Sequence, residues 1–68
     1  MVFLMIKNGK NNYSVIVHLR SCFVPMLVNF YYLSYAIRYA EDKFKSYDVT
    51  KIFLCDIETG RVIRTWSR

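Results

Sequence analysis

The side chains that most often carry out chemistry are few in this chain. It holds one histidine, His18, and two cysteines, Cys22 and Cys55. A nucleophilic Cys–His pair or a zinc site would need the histidine beside a cysteine and a carboxylate. Asp56 and Glu58 lie close together beside a turn, where acids more often bond the turn backbone than act as an acid–base pair. The sequence therefore predicts a protein that is not an enzyme and uses no metal ion or cofactor.

The cysteines and the first residues indicate a cytoplasmic protein. Cys22 and Cys55 lack the spacing of metal ligands. The stretch from Met1 to Ile6 is too short and too weakly charged for a signal peptide. Because thiols outside an oxidising compartment stay reduced, we expect free cysteines and a cytoplasmic location.

Both ends of the chain show the pattern of β-hairpins. Residues 2–20 combine a β-compatible run, a polar loop that opens with Asn8-Gly9, and an alternating run from Tyr13 to Arg20. Residues 51–67 place two strand-like runs on either side of Glu58-Thr59-Gly60, where the glycine tolerates a positive φ. The pattern predicts one hairpin over 2–20 and a second over 51–67.

The middle of the chain has the spacing of one long helix. Pro25 suits a first helical turn, because its missing N–H would have no partner there. From Pro25 to Ser46, apolar and polar side chains fall on opposite arcs at about 100° per residue. The sequence thus predicts an α+β fold in the order ββαββ. Two antiparallel hairpins form a four-stranded sheet, and one long helix, 25–46, packs on one face of a single domain, 1–68.

The predicted sheet is apolar on both faces, but one helix covers only one of them. A chain of 68 residues that is 54% hydrophobic cannot bury every apolar side chain in one small core. The simplest cover for the second face is another copy, which an open edge strand would also bind, so we expect a homodimer. In the tail hairpin one face is expected to hold Phe53, Cys55 and Ile63, and the other Ile52, Leu54, Val62 and Trp66.

A second contact surface is predicted on the helix. Leu27, Tyr31 and Tyr35 lie beside Arg38, towards the polar arc. Tyrosine and arginine with an aliphatic neighbour are typical of the centres of protein interfaces. These four residues are therefore candidate contacts with a partner protein. The alternative is that the hairpins or a second copy simply pack over them.

The formal net charge of +5 makes nucleic acid an alternative partner. Basic side chains and planar rings on strands can bind phosphates and stack on bases. The chain shows no RNP-like motif, so the charge could equally serve solubility. The candidate nucleic-acid contacts are Lys7, Lys10, Arg20, Arg61, Arg64, Trp66 and Arg68.

The uncharged stretch from Ser21 to Ile37 is a candidate membrane segment. It is slightly shorter than the ~20 residues that span hydrocarbon. It also contains Pro25, Asn29 and several tyrosines, which weaken insertion. We therefore expect no membrane partner.

The tail carries one short resemblance. Asp56 to Val62 resembles the Asp-x-Glu/Asp-Thr-Gly-x-Val hairpin that ends many small phage and bacterial proteins. The resemblance implies a phage or bacterial accessory protein, and proteins of this kind often bind and block a host protein. The leading hypothesis is therefore a non-catalytic binding module that engages a partner protein, with a nucleic-acid binder as the alternative.

Overall fold

The fold is one four-stranded antiparallel sheet with a helix packed on it. The computed structural model describes residues 12–68. The strands lie side by side in the order β2-β1-β3-β4, so the predicted α+β architecture and its ββαββ order are confirmed. The elements are β1 (Tyr13–Leu19), β2 (Cys22–Phe30), α1 (Leu33–Lys43), β3 (Val49–Asp56) and β4 (Val62–Ser67).

β1 is a central strand, with β2 on one side and β3 on the other. The alternating run that predicted this strand is therefore confirmed. Residues 2–7, the other half of the predicted 2–20 hairpin, lie outside the described residues. Because β2 and β3 occupy both sides of β1, its hairpin partner is β2, and the connecting turn is Arg20-Ser21. Asp48 holds that turn, since its carboxylate accepts bonds from the Ser21 N–H at 3.1 Å and the Ser21 hydroxyl at 2.6 Å.

The prediction of one long helix over 25–46 is wrong in its first part. Residues Cys22–Phe30 form a strand, and the helix is the shorter segment Leu33–Lys43. Pro25 fits β2 because β2 is an outer strand, where a residue without an N–H can face away from the sheet. The apolar run around it is rich in aromatic and β-branched residues, which pack well on a pleated surface.

The helix is stabilised by the sheet beneath it. An isolated helix of 11 residues is marginal in water, so burial of one face must stabilise it. Ala36 and Ala40 have no exposed surface, and their small side chains let the helix approach the sheet closely. Together they pack on a fully buried layer from the two central strands, namely Val15, Val17, Ile52 and Leu54.

β3 and β4 form a hairpin where one was predicted over 51–67. The Asp56 carboxylate accepts bonds from the backbone N–H of Glu58 at 2.9 Å and of Thr59 at 3.3 Å, and Gly60 adopts a φ of 75°. Asp56 thus stabilises the turn, as the sequence indicated. A register shift after Leu54 pairs Val62 with Cys55. Val62 therefore shares the face of Cys55, and its predicted placement with Leu54 is wrong.

Candidate binding surface

Three tyrosines form an exposed aromatic surface where β2 leads into α1. The Tyr31 and Tyr32 ring centroids lie 4.6 Å apart, and those of Tyr32 and Tyr35 lie 5.5 Å apart, both edge to face. Their exposed fractions are 49%, 56% and 56%. The Asn12 side-chain amide donates to the Tyr31 carbonyl at 3.0 Å, which fixes the backbone here. We call Tyr31, Tyr32 and Tyr35 the tyrosine cluster.

A shallow depression of about 410 Å³ continues from the tyrosine cluster along the helix. Its lining is Tyr35, Arg38, Tyr39 and Asp42. The Tyr39 ring rests against Phe30 at 5.1 Å, and the Lys43 ammonium lies 5.5 Å from the Tyr39 ring centre. The depression therefore has an aromatic wall that is anchored to the core, with an arginine and an aspartate beside it.

Of the four predicted partner contacts, three lie on this surface and one does not. Tyr31 and Tyr35 belong to the tyrosine cluster, and Arg38 lines the adjoining depression. Leu27 lies in β2 opposite Ile16, on the face of the sheet away from the helix. Its placement with the tyrosines is wrong because it assumed helical spacing, in which residues four apart are neighbours, whereas four residues of strand span roughly 13 Å.

Sequence reasoning missed Tyr32 and Tyr39 as members of this surface. On one continuous helix, Tyr32 would have pointed away from Tyr31, since adjacent helical residues do not share a face. β2 ends at Phe30, so Tyr31 and Tyr32 follow a strand and are not held to the directions of adjacent residues in a helix. The signal that could have found Tyr32 is the Tyr31-Tyr32 pair itself, at the end of an apolar run of strand length.

The sheet face away from the helix carries both apolar and polar side chains. We call it the open sheet face, and its apolar members by register are Ile16, Leu27, Phe53, Cys55 and Val62. Its polar members include Ser14, Asn29, Lys51 and Thr65. Leu27 and Val62 are more than half exposed. His18 packs edge-on against the Phe53 ring at 5.6 Å. The helix thus leaves a second, partly apolar surface uncovered within the described part of the chain.

The two outer strands of the sheet carry very different side chains. β2 exposes Phe23 completely and Val24 by 70%, and no charged residue occurs between Arg20 and Arg38. β4 carries Arg64 and a register irregularity, and basic residues lie on either side of it. Since charges keep sheet edges apart, β4 is the better protected edge, whereas β2 has only Pro25 and a register shift near its Phe23 end.

The residues proposed for nucleic-acid binding are spread over the molecule. Lys7 and Lys10 lie outside the described residues. Arg20 lies in the turn after β1, and Arg61 lies beside the β3–β4 turn. These turns are at opposite ends of β3, which at ~3.3 Å per residue separates them by roughly 20 Å.

The other three of these residues are engaged within the fold. The Arg64 guanidinium lies 4.7 Å from the Trp66 ring centre and 3.9 Å from Glu41, and Trp66 packs against the core. Arg68 donates to the carbonyls of Val49 and Ser46, at 2.8 Å each, and to that of Phe44. Arg64 and Arg68 therefore bond within the fold, and the five candidates among the described residues do not form one patch.

Residues 12–68 contain no cluster of three or more His, Cys, Asp or Glu side chains that could bind a metal ion. Cys22 and Cys55 are free thiols on different strands. The described segment also has no helix with the length and hydropathy needed to cross a membrane.

The chain was compared with protein-family models, with curated proteins and with solved structures, and none of the three comparisons found a match.

Proposed function

We propose that the protein is a small non-catalytic binding module that acts as a homodimer and engages a partner protein. The observation that carries the proposal is the tyrosine cluster. Its rings contact one another while each stays about half exposed, so they form an aromatic surface that is already ordered before binding. Tyrosine gives a large contact area for little loss of conformational entropy.

The depression beside the cluster indicates the chemistry of the partner. Tyr35 and Tyr39 form its apolar wall, and Arg38 offers a planar donor that suits a carboxylate. The chain carries a net charge of +5, which attracts acidic surfaces over a distance. The partner that fits is therefore a protein surface with a central apolar side chain, an acidic group against Arg38 and a hydrogen-bond donor against Asp42.

The proposal extends to the role that the tail hairpin suggested. A rigid, basic module without a catalytic site suits a phage or bacterial accessory protein that acts by occupying a host protein. The features that support this role are the tyrosine cluster and the excess positive charge. The proposed site of action is the cytoplasm.

The direct test combines Tyr31→Ala with Tyr35→Ala and measures binding to the protein captured by the wild type. We expect the double variant to keep its circular dichroism spectrum, because both rings lie outside the core. Its affinity should fall at least about a hundredfold, as for two central aromatic contacts. Tyr47→Ala is the matched control, because Tyr47 is 77% exposed but lies against Arg20, away from the cluster.

Two results would contradict the proposal. One is unchanged binding in the folded double variant. The other is equal loss of binding in the Tyr47→Ala control. Treatment of the lysate with nuclease separates a protein partner from one that is bridged by nucleic acid.

A nucleic-acid-binding function has less support in the structure. Arg64, Trp66 and Arg68 make intramolecular contacts that a nucleic acid would have to replace. If the protein binds nucleic acid, its affinity for short DNA or RNA probes falls steeply as the salt concentration rises, in proportion to the number of phosphates contacted.

A further inference from the structure

The outer edge of β2 presents backbone groups that no described strand pairs with. The Phe30 carbonyl accepts the Asn12 N–H at 2.8 Å, so Phe30 faces β1. The β1–β2 register runs without a break from Phe30 back to Met26. Because backbone groups alternate in direction along a strand, Leu27 and Asn29 point their N–H and C=O groups away from the sheet.

Pro25 lies just before Met26, where the regular β1–β2 register ends. No bond of the regular ladder to β1 therefore depends on its missing N–H. The Pro25 carbonyl remains an acceptor. The Pro25 ring, however, would collide with a strand added to the outer edge of β2 at this residue. Pro25 therefore limits any added strand to the part of β2 that contains Leu27 and Asn29.

We propose that a second copy of this chain pairs with β2 along this edge, antiparallel, about a twofold axis at Val28. In this register, Leu27 of each copy lies opposite Asn29 of the other, and each residue donates to and accepts from its counterpart. The two four-stranded sheets then join into one continuous sheet. The proposal rests on the homodimer of the proposed function and identifies its interface.

The charge distribution explains why a second copy fits this edge. Each chain carries +5, so two copies repel each other over most of their surfaces. The segment between Arg20 and Arg38 carries no charge and contains all of β2. Two copies can therefore meet at β2 without bringing like charges together, whereas the arginine-bearing edge of β4 opposes self-association.

The twofold arrangement also covers exposed apolar side chains. Antiparallel pairing brings the Phe23 end of one β2 towards the Tyr31 end of the other. It also places the two Leu27 side chains near each other on the joined open sheet face. Leu27, which is 59% exposed in the single chain, would lie at the contact, whereas Phe23 and Val24 lie beyond Pro25 and outside the paired segment.

Asn29→Pro tests this interface with little disturbance of the fold. It removes an outward N–H and adds a ring that faces the second copy, but it leaves the β1–β2 bonds in place. Asn29→Ser is the matched control, because it shortens the side chain and keeps the N–H. The measurement is the mass in solution over a range of concentrations, by analytical ultracentrifugation, with circular dichroism to check folding.

We expect the wild type and Asn29→Ser to have twice the mass of one chain, and Asn29→Pro to be a folded monomer. The dissociation constant should rise roughly a hundredfold or more when paired bonds are lost and a ring collides. A monomeric wild type, or a dimeric Asn29→Pro, would overturn the proposal. If Asn29→Pro fails to fold, Leu27→Lys replaces it, and a dimer that is no weaker than the wild type in that folded variant is equally contrary.

The same samples separate this inference from the proposed tyrosine surface. The Tyr31→Ala/Tyr35→Ala variant should remain a dimer while it loses the partner protein. A wild type that is monomeric but captures the partner through its tyrosines would overturn the β2 interface and leave the partner-binding surface in place.

Discussion

β2 and β4 are the two outer strands of one sheet, but their outer edges differ in charge and in length. β2 is nine residues long, has no charged side chain, and is exposed along most of its length. β4 is six residues long and carries Arg64 within it. Both strands have a register shift near their start, and β2 also contains Pro25, but only β4 is both short and charged, which are features that keep a sheet edge single.

Two arginines in and just after β4 also make contacts inside the molecule. Arg64 lies over Trp66 and near Glu41, and thereby links the outer strand to the helix. Arg68 bonds to carbonyls that follow the helix and begin β3. The β4 edge is therefore bonded to its own fold, whereas among residues 12–68 β2 pairs with β1 and contacts the helix.

Among changes that compare the two edges directly, the largest expected effect comes from adding one charge to each edge in turn. Leu27→Lys places a cation beside the proposed twofold axis, so the two copies would bring like charges together. We expect at least a tenfold weaker dimer, with partial recovery at high salt, by analytical ultracentrifugation. Thr65→Lys is the control, because Thr65 is exposed in β4 and pairs with Phe53 on the same open sheet face.

The comparison between the edges would fail if both lysine variants weakened the dimer equally. It would also fail if neither had an effect. An effect of Thr65→Lys alone would assign the interface to β4.

A smaller effect is expected when the internal bonds of the β4 side are removed. Arg68→Ala deletes the donors to the Val49 and Ser46 carbonyls and the stacking on Phe44, where the guanidinium lies 4.3 Å from the ring centre. Because these groups are partly exposed, we expect a loss of about 1–2 kcal/mol in the free energy of unfolding by urea. The dimer affinity of the folded variant should not change, and a weaker dimer would contradict the separation of the two edges.

The sequence was sufficient for the parts of the fold in which local and tertiary signals agree. The alternation in β1 and the turn chemistry around Asp56 and Gly60 predicted those elements correctly. Ala36 and Ala40 share one face at helical spacing, and both residues are buried. In each case residue spacing alone determines which side chains turn inward.

The sequence was not sufficient for β2, where the same residues suit a helix or a strand. An uninterrupted apolar run has no period, and Pro25 is compatible with both a helix start and an outer strand. Only the position of β2 at the edge of the sheet decides between them, and that position depends on β3 pairing with the far side of β1. Leu27 was misplaced for this reason, and Tyr32 was overlooked.

Amide hydrogen exchange at Leu27 and Asn29 gives the most direct test of the proposed dimer. It measures whether their outward N–H groups become hydrogen-bonded when a second copy pairs with β2. The Thr65 amide is the internal reference, because Trp66 and Arg64 face β3 and Thr65 therefore faces away from the sheet. If a second copy pairs with β2, the Leu27 and Asn29 amides exchange slowly at high protein concentration and faster on dilution. The Thr65 amide exchanges quickly at every concentration. Exchange at Leu27 and Asn29 that is as fast as at Thr65 at every concentration, or slow regardless of concentration, would contradict the proposed dimer.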